Sequence, residues 1–228
     1  MQDNQTTENY TENVVENHTE TVAVKQKKRE KYFTASRCAK IAIFTALATV
    51  LYFFVKFPLP FFPPFWDMKF SDVPILIGGF ALGPVAGVLI VTIMVLLKLP
   101  MTSTACVGEL ADLIIGIAFV LPASFIYRRK KNLKGALLGV AVGTVCSVGV
   151  AMLVNRFILV KAYMHFYHMD MQTLTNLCKV LSDKITPENF FTYYIFLGVL
   201  PFNLLRCTVA SVITFLVYKR ISKLLKKF

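Results

Sequence analysis

The stretch VPILIGGFALGPVAGVLIVTIMVLL, residues Val73–Leu97, carries no charged side chain anywhere along its length. A helix needs about 20 largely apolar residues to cross the hydrocarbon core of a bilayer, so a run of this kind reads as membrane-embedded. Two features divide it, Gly78-Gly79 and then Gly83-Pro84. Proline lacks an amide donor and its ring collides with the preceding turn, which disfavours one continuous helix through Pro84. The reading is therefore two short helices, about 73–83 and 84–98. A break of this kind persists at membrane depth only where protein or a cavity covers the freed backbone groups.

Four more apolar blocks flank this one: about 35–55, 108–127, 135–160 and 190–218, the last interrupted only by Arg206. The expected architecture is an all-α integral membrane protein of six transmembrane helices. Composition agrees, because 56% of the residues are hydrophobic, above the range of about 45–50% usual for soluble domains. The length allows one such bundle, over residues 32–228, and no second large domain. Residues 1–31 read as a disordered tail, first polar and acidic, then basic, with no apolar core of the kind a signal peptide needs. Its three Asn-x-Thr sequons, at Asn4, Asn9 and Asn17, matter only if the tail reaches a glycosylating lumen. The five cysteines, Cys38, Cys106, Cys146, Cys178 and Cys207, form no C-x-x-C pair and suit small core residues better than a disulfide or zinc framework.

The net charge of +12 would suggest nucleic acid in a soluble protein. Here the basic residues sit beside apolar runs, which favours contact with membrane lipid and argues against a nucleic-acid partner. Clusters precede the first helix (Lys25 to Lys40), separate the fourth from the fifth (Arg128 to Lys134) and end the chain (Lys219 to Lys227). With six helices all three fall on one side, and cytoplasmic loops carry the excess of Lys and Arg. Both termini are thus expected in the cytoplasm, with the chain in a prokaryotic-type plasma membrane.

The outer side then holds three connections, Lys56–Asp72, about Leu99–Val107 and Tyr163–Asn189. The first is dense in proline and aromatics, including Phe65 and Trp66. It reads either as an aromatic anchor at the interface or as a stiff apolar lid over a pocket. The third, with His165 and His168, reads as an amphipathic surface segment.

Ionisable residues inside a membrane are costly, so each is a functional candidate. Glu109 and Asp112 are three residues apart and share a helix face, as do Asn203 and Arg206. Asn155 ends a small or polar stripe through Thr144, Ser147 and Ala151. These residues would meet in an outward-facing pocket between the fourth, fifth and sixth helices. Pairing of either acid with Arg206 or Arg156 would equally lock the bundle. A neutral amide such as Asn155 offers donors and an acceptor to a planar heterocycle, or to a neighbouring helix. On the first helix, Ala35, Ala39, Ala42, Ala46 and Thr49 fall within an arc of about 80°. Such a groove of small residues permits close helix approach, inside the bundle or to another membrane subunit.

Several chemistries are missing. No G-x-x-x-x-G-K-[ST] occurs, so the chain has no P-loop ATPase, and no H-E-x-x-H occurs either. No metal, cofactor or enzymatic activity is expected, although Glu109 and Asp112 as an acid–base pair keep a membrane-embedded enzyme as a distant alternative.

The run Lys69-Phe70-Ser71-Asp72-Val73-Pro74 through Gly87 resembles the riboflavin-specific S-components of energy-coupling factor (ECF) transporters. So do Val107-Gly108-Glu109-Leu110-Ala111-Asp112 followed by Gly116, and Leu200-Pro201-Phe202-Asn203-Leu204-Leu205-Arg206 followed by a basic tail. The resemblance covers residues from about 34 to the end. It implies six helices, cytoplasmic termini and one vitamin bound near the outer face. It also implies a membrane T-subunit and two ATP-binding cassette ATPases as partners, with Ala35/Ala39 and Ala42/Ala46 matching the family's docking motif. The implied riboflavin site uses Asn155, Arg206, Glu109, Asp112, Thr102, Thr104, Lys69, Phe65, Trp66 and Asn203. Arg206 stands where the family carries lysine, Asp112 where it carries asparagine, and Ala105-Cys106 replace a Gly-Gly pair. Another vitamin or a flavin analogue therefore stays open as the ligand.

Overall fold

The computed structural model describes residues 33–102 and 106–225, with side chains described as far as Val217. The chain divides into two compact units, Met1–Lys40 and Ile41–Phe228. Described residues of the first unit open helix α1, Ala35–Phe54. Every other element belongs to the second.

Within the second unit, Ile41, Thr45, Ala48 and Tyr52 are the buried residues of α1, at the 4-3-4 spacing of one helix face. A short antiparallel hairpin follows, β1 (Lys56–Pro58) with β2 (Asp67–Lys69), pairing Lys56 with Lys69 and Pro58 with Asp67. The first connection is therefore not irregular, and the fold is mostly rather than wholly helical. The hairpin brackets the Pro-rich aromatic tip, residues 59–66.

The uncharged stretch forms two helices, α2 (Asp72–Leu82) and α3 (Pro84–Lys98). Between them Gly83 has φ 96° and ψ 171°, a backbone conformation that side chains with a Cβ avoid. Its amide still donates to the Gly79 carbonyl at 2.9 Å, and Pro84 opens α3, where no intrahelical donor is needed. Residues Asp72 to Phe80 of α2 are all buried, the signature of a helix enclosed on every side.

A 3₁₀ turn (Leu99–Met101) precedes α4 (Val107–Arg129), and α5 (Leu133–Val154) returns along it. These two helices approach closely at Gly139 and Gly143. A Cβ there would lie 2.6 Å from the Ala123 and Phe119 carbonyl oxygens respectively. Asn132 caps α5 by accepting the Gly135 amide at 2.6 Å. The helical path then passes through a π-helical turn, Asn155–Leu159, into α6 (Val160–Phe166). The outer connection contains α7 (Met171–Cys178), capped by Asp170, and leads to α8 (Phe190–Tyr193). A second π-helical segment, Tyr194–Val199, joins α8 to α9 (Leu200–Leu225).

Among the described residues, five helical stretches are long and apolar enough to cross a membrane: Ala35–Phe54, Pro84–Met101, Val107–Arg129, Leu133–Phe166 and Phe190–Val217. Helix α2 is apolar but shorter. At 11 residues it extends about 16 Å, against a hydrocarbon core of about 30 Å. Many large apolar side chains along these helices are exposed, among them Ile43, Leu47, Leu96, Phe125, Val145 and Val212. Such a surface is suited to lipid tails and poorly suited to water.

Candidate functional site

A cavity of about 390 Å³ opens among the end of α1, the hairpin, the α3–α4 junction, the two π segments' helices and α7. One wall is aromatic. Trp66 lies 5.1 Å from Phe202 and 5.4 Å from Tyr194, ring centre to ring centre, and Phe65 lies 5.6 Å from Tyr163. Gly198 makes room for Trp66, because a Cβ there would sit 2.9 Å from the indole. The Pro-rich tip is therefore folded against the bundle as a wall of the cavity.

The opposite wall is ionic. Glu109 is 2% exposed, a burial that demands partners. It receives Lys98 Nζ at 3.0 Å and the Thr102 hydroxyl at 2.7 Å. Asp112 receives Lys69 Nζ and the Tyr52 hydroxyl, both at 2.5 Å. Arg206 gives its Nε and Nη2 to the two carboxylate oxygens of Asp72, at 2.6 and 3.0 Å, and its Nη1 stands 3.7 Å from Asp112. At the hairpin, Lys56 and Asp67 pair at 3.4 Å in a more exposed setting. Opposite charges thus meet all round this wall, and the donors and acceptors they offer carry little net charge.

Two asparagines complete the lining. Asn155 donates its amide to the Ala151 carbonyl at 2.8 Å and accepts the Tyr194 hydroxyl at 2.9 Å. Asn203 donates to the Val199 carbonyl at 2.8 Å. Each is anchored to the carbonyl four residues back, beside a π-helical segment, an irregularity often found at functional sites.

Of the residues singled out from the sequence, Phe65, Trp66, Lys69, Glu109, Asp112, Asn155, Asn203 and Arg206 all line the cavity. Thr102 is not among the lining residues and reaches the site through Glu109. Thr104 lies outside the described residues. Ala35, Ala39, Ala42 and Ala46 are all exposed, and within the second unit Ala42 and Ala46 are not spent on packing in the bundle. Arg156 takes no part in the ionic wall: it is exposed, with its guanidinium 4.7 Å from the Phe191 ring centre. Nor is the third connection only a surface segment, since Met169, Leu174 and Leu177 turn toward the cavity.

Sequence reasoning missed Tyr52, Lys98 and the partnership of Asp72 with Arg206. Lys98 ends an apolar run and so reads as an ordinary interfacial cation. Tyr52 stands among Phe53, Phe54 and other aromatics with nothing in the pattern to mark it. Asp72 carried a usable signal: an acid heading a fully buried helix requires a cation from elsewhere in the fold.

The model of a family described as ECF transporter, substrate-specific component, matches residues 36–218. The chain belongs to this family. Among curated relatives, the riboflavin transporter RibU of Staphylococcus aureus (strain TCH60) is 32% identical over 191 residues, 84% of this chain and 93% of that protein. The riboflavin transporter FmnP of Bacillus subtilis (strain 168) is 26% identical, over 78% of this chain and 87% of its own length. A solved structure of the S component of a bacterial ECF transporter superposes with a TM-score of 0.65 at 29% identity, covering 84% of this chain and 98% of that one. Together with its apolar helices, this makes the ECF substrate-specific component in hand a membrane protein whose named relatives are transporters.

Proposed function

We propose that this chain is the riboflavin-binding subunit of an ECF-type importer, capturing the vitamin at the outer face of the plasma membrane. The observation that carries the reading is the cavity, with an aromatic wall facing a wall of paired charges. A tricyclic isoalloxazine is flat and largely apolar and suits Trp66, Phe65 and Phe202, while its polar edge suits the amides of Asn155 and Asn203. Hydroxyl groups of the ribityl chain both donate and accept, as do paired lysines and carboxylates. The volume falls within the range of small-molecule sites, about 300–1,000 Å³.

In this reading the chain is not an enzyme and needs no cofactor of its own. Energy comes from a T-subunit and two ATPases, and the exposed alanines of α1 are the surface on which the T-subunit docks. Small residues let two helices approach closely in lipid, where no hydrophobic driving force separates helix from acyl chain. Helix α2 completes a six-helix topology with both termini in the cytoplasm. Labelling of single cysteines at Lys98 and Lys130 with impermeant reagents from opposite sides tests that arrangement, and labelling from the same side contradicts it.

The ligand is tested on the purified, detergent-solubilised protein by absorbance and by mass of whatever denaturation releases. A flavin band with riboflavin recovered supports the reading. A colourless protein that also ignores added riboflavin removes it, and leaves the family assignment standing.

A further inference from the structure

Riboflavin binding as described above uses the paired lysines and carboxylates of the polar wall but gives no part to α1, which also reaches the cavity. The α1 residue that lines the cavity is Tyr52, which is 3% exposed. Its hydroxyl donates to Asp112 Oδ2 at 2.5 Å and accepts from Lys69 Nζ at 3.3 Å. Its ring centre lies 4.4 Å from Lys69 Nζ and 5.1 Å from Lys98 Nζ. One side chain therefore touches both ion pairs of the polar wall, Lys69–Asp112 and Lys98–Glu109.

Two different attractions are at work. The negative face of an aromatic ring holds ammonium groups, and more strongly where water is scarce. The hydroxyl adds a charge-assisted hydrogen bond to a carboxylate. Phenylalanine would supply only the first and serine only the second. Lysine ammonium groups on four-carbon stems are otherwise free to swing, and fixing them before a ligand arrives removes that ordering cost from the binding step.

We propose that Tyr52 is a positioning residue of the cavity, holding Lys69 through Asp112 and supporting Lys98 on its ring, so that the polar wall is set before the ligand enters. It touches the ligand's donors and acceptors through their partners, and it ties the cavity to the helix whose outer face exposes Ala42 and Ala46. The ligand part of this inference rests on the riboflavin reading. The positioning part does not.

The test uses the purified full-length protein without added ligand. Rates of reductive methylation are followed lysine by lysine by mass spectrometry, with exposed Lys134 as internal control. Tyr52→Phe should raise the Lys69 rate about tenfold, the effect of losing a hydrogen bond in a charged cluster. Asp112→Ala, which removes the acceptor of the same bond, should raise it as well, and Tyr52→Leu, which removes both ring and hydroxyl, is measured in place of Tyr52→Phe if the latter does not fold. Unchanged Lys69 rates overturn the positioning role whatever the ligand is. For riboflavin, Tyr52→Phe should weaken binding about tenfold in the parent but not further in an Asp112→Ala background, because partners acting as one unit are non-additive. Additive losses would instead mean a general structural role and overturn the proposal. A parent protein that ignores riboflavin refutes the ligand reading alone, and the lysine rates still decide the role of Tyr52.

Discussion

Replacing Asp72 by asparagine removes the principal partner of Arg206 while keeping the side chain's shape. The two side chains are 10% and 3% exposed and meet through two hydrogen bonds, at 2.6 and 3.0 Å. Stranding one member of a buried ion pair costs about 3–5 kcal/mol, because the remaining charge is left desolvated. Two features of this site lower the loss. The asparagine oxygen still accepts one bond, and Asp112 stands 3.7 Å from Arg206 Nη1. The low end, about 3 kcal/mol, is therefore expected. For a chain of this size that corresponds to a fall in Tm of about 6–12 °C. The assay is thermal unfolding of the detergent-solubilised protein, followed by aggregation or by fluorescence. A double variant, Asp72→Leu with Arg206→Met, removes both charges and should recover most of that fall, since an apolar pair of similar volume needs no compensation. A fall of under about 2 °C for Asp72→Asn, or a double variant less stable than the single, would refute the view that this pair is a buried and mutually dependent unit.

Three further outcomes follow from other parts of the molecule. Gly198→Ala places a methyl 2.9 Å from the Trp66 indole, an overpacking worth about 1–3 kcal/mol, and riboflavin titrations should show weaker binding by a matching factor; unchanged affinity would mean that Trp66 does not form the wall. Asp170 caps α7, and its bonds to Thr173 hold its carboxyl below the usual aspartate range. The folded-state value is depressed, so the cap contributes above the unfolded value and is lost as pH falls through the folded one. Protection of the Thr173 amide from hydrogen exchange, corrected for intrinsic rate, should drop in Asp170→Ala at neutral pH and in the parent only in acid. Burial pushes the Cys178 thiol up to about 12, so maleimide should modify it far more slowly than exposed Cys106 at mildly alkaline pH; equal rates would contradict the packing of α7 against the bundle.

The backbone plan was legible where a residue's own chemistry forces it. Gly83 and Pro84 mark the division between α2 and α3 because one tolerates a positive φ and the other cannot continue a helix from the preceding turn. The acids, amides and arginine that line the cavity were legible because ionisable and strongly polar groups in apolar runs are too costly to be incidental. The pairings were not. Asp72 and Arg206 are 134 residues apart, and Lys69 and Asp112 are 43 apart. No local pattern specifies which cation reaches which acid, since that depends on how the helices register against one another. Tyr52 and Lys98 were hidden for a related reason: aromatics and lysines are ordinary at the ends of membrane helices, and only their convergence on two carboxylates distinguishes them. The π-helical segments at Asn155 and Tyr194 likewise leave no mark in the hydrophobic pattern, which stays apolar through both.

Trp66 is the single tryptophan of the chain and forms part of the cavity wall. Its intrinsic fluorescence is therefore a reporter placed in the wall of this site. Riboflavin added to the ligand-free protein should quench that fluorescence saturably at one equivalent, with the quench weakened in Glu109→Gln and Arg206→Ala. Titration without quenching, or a quench that both variants leave unchanged, would contradict the placement of riboflavin between the aromatic and ionic walls.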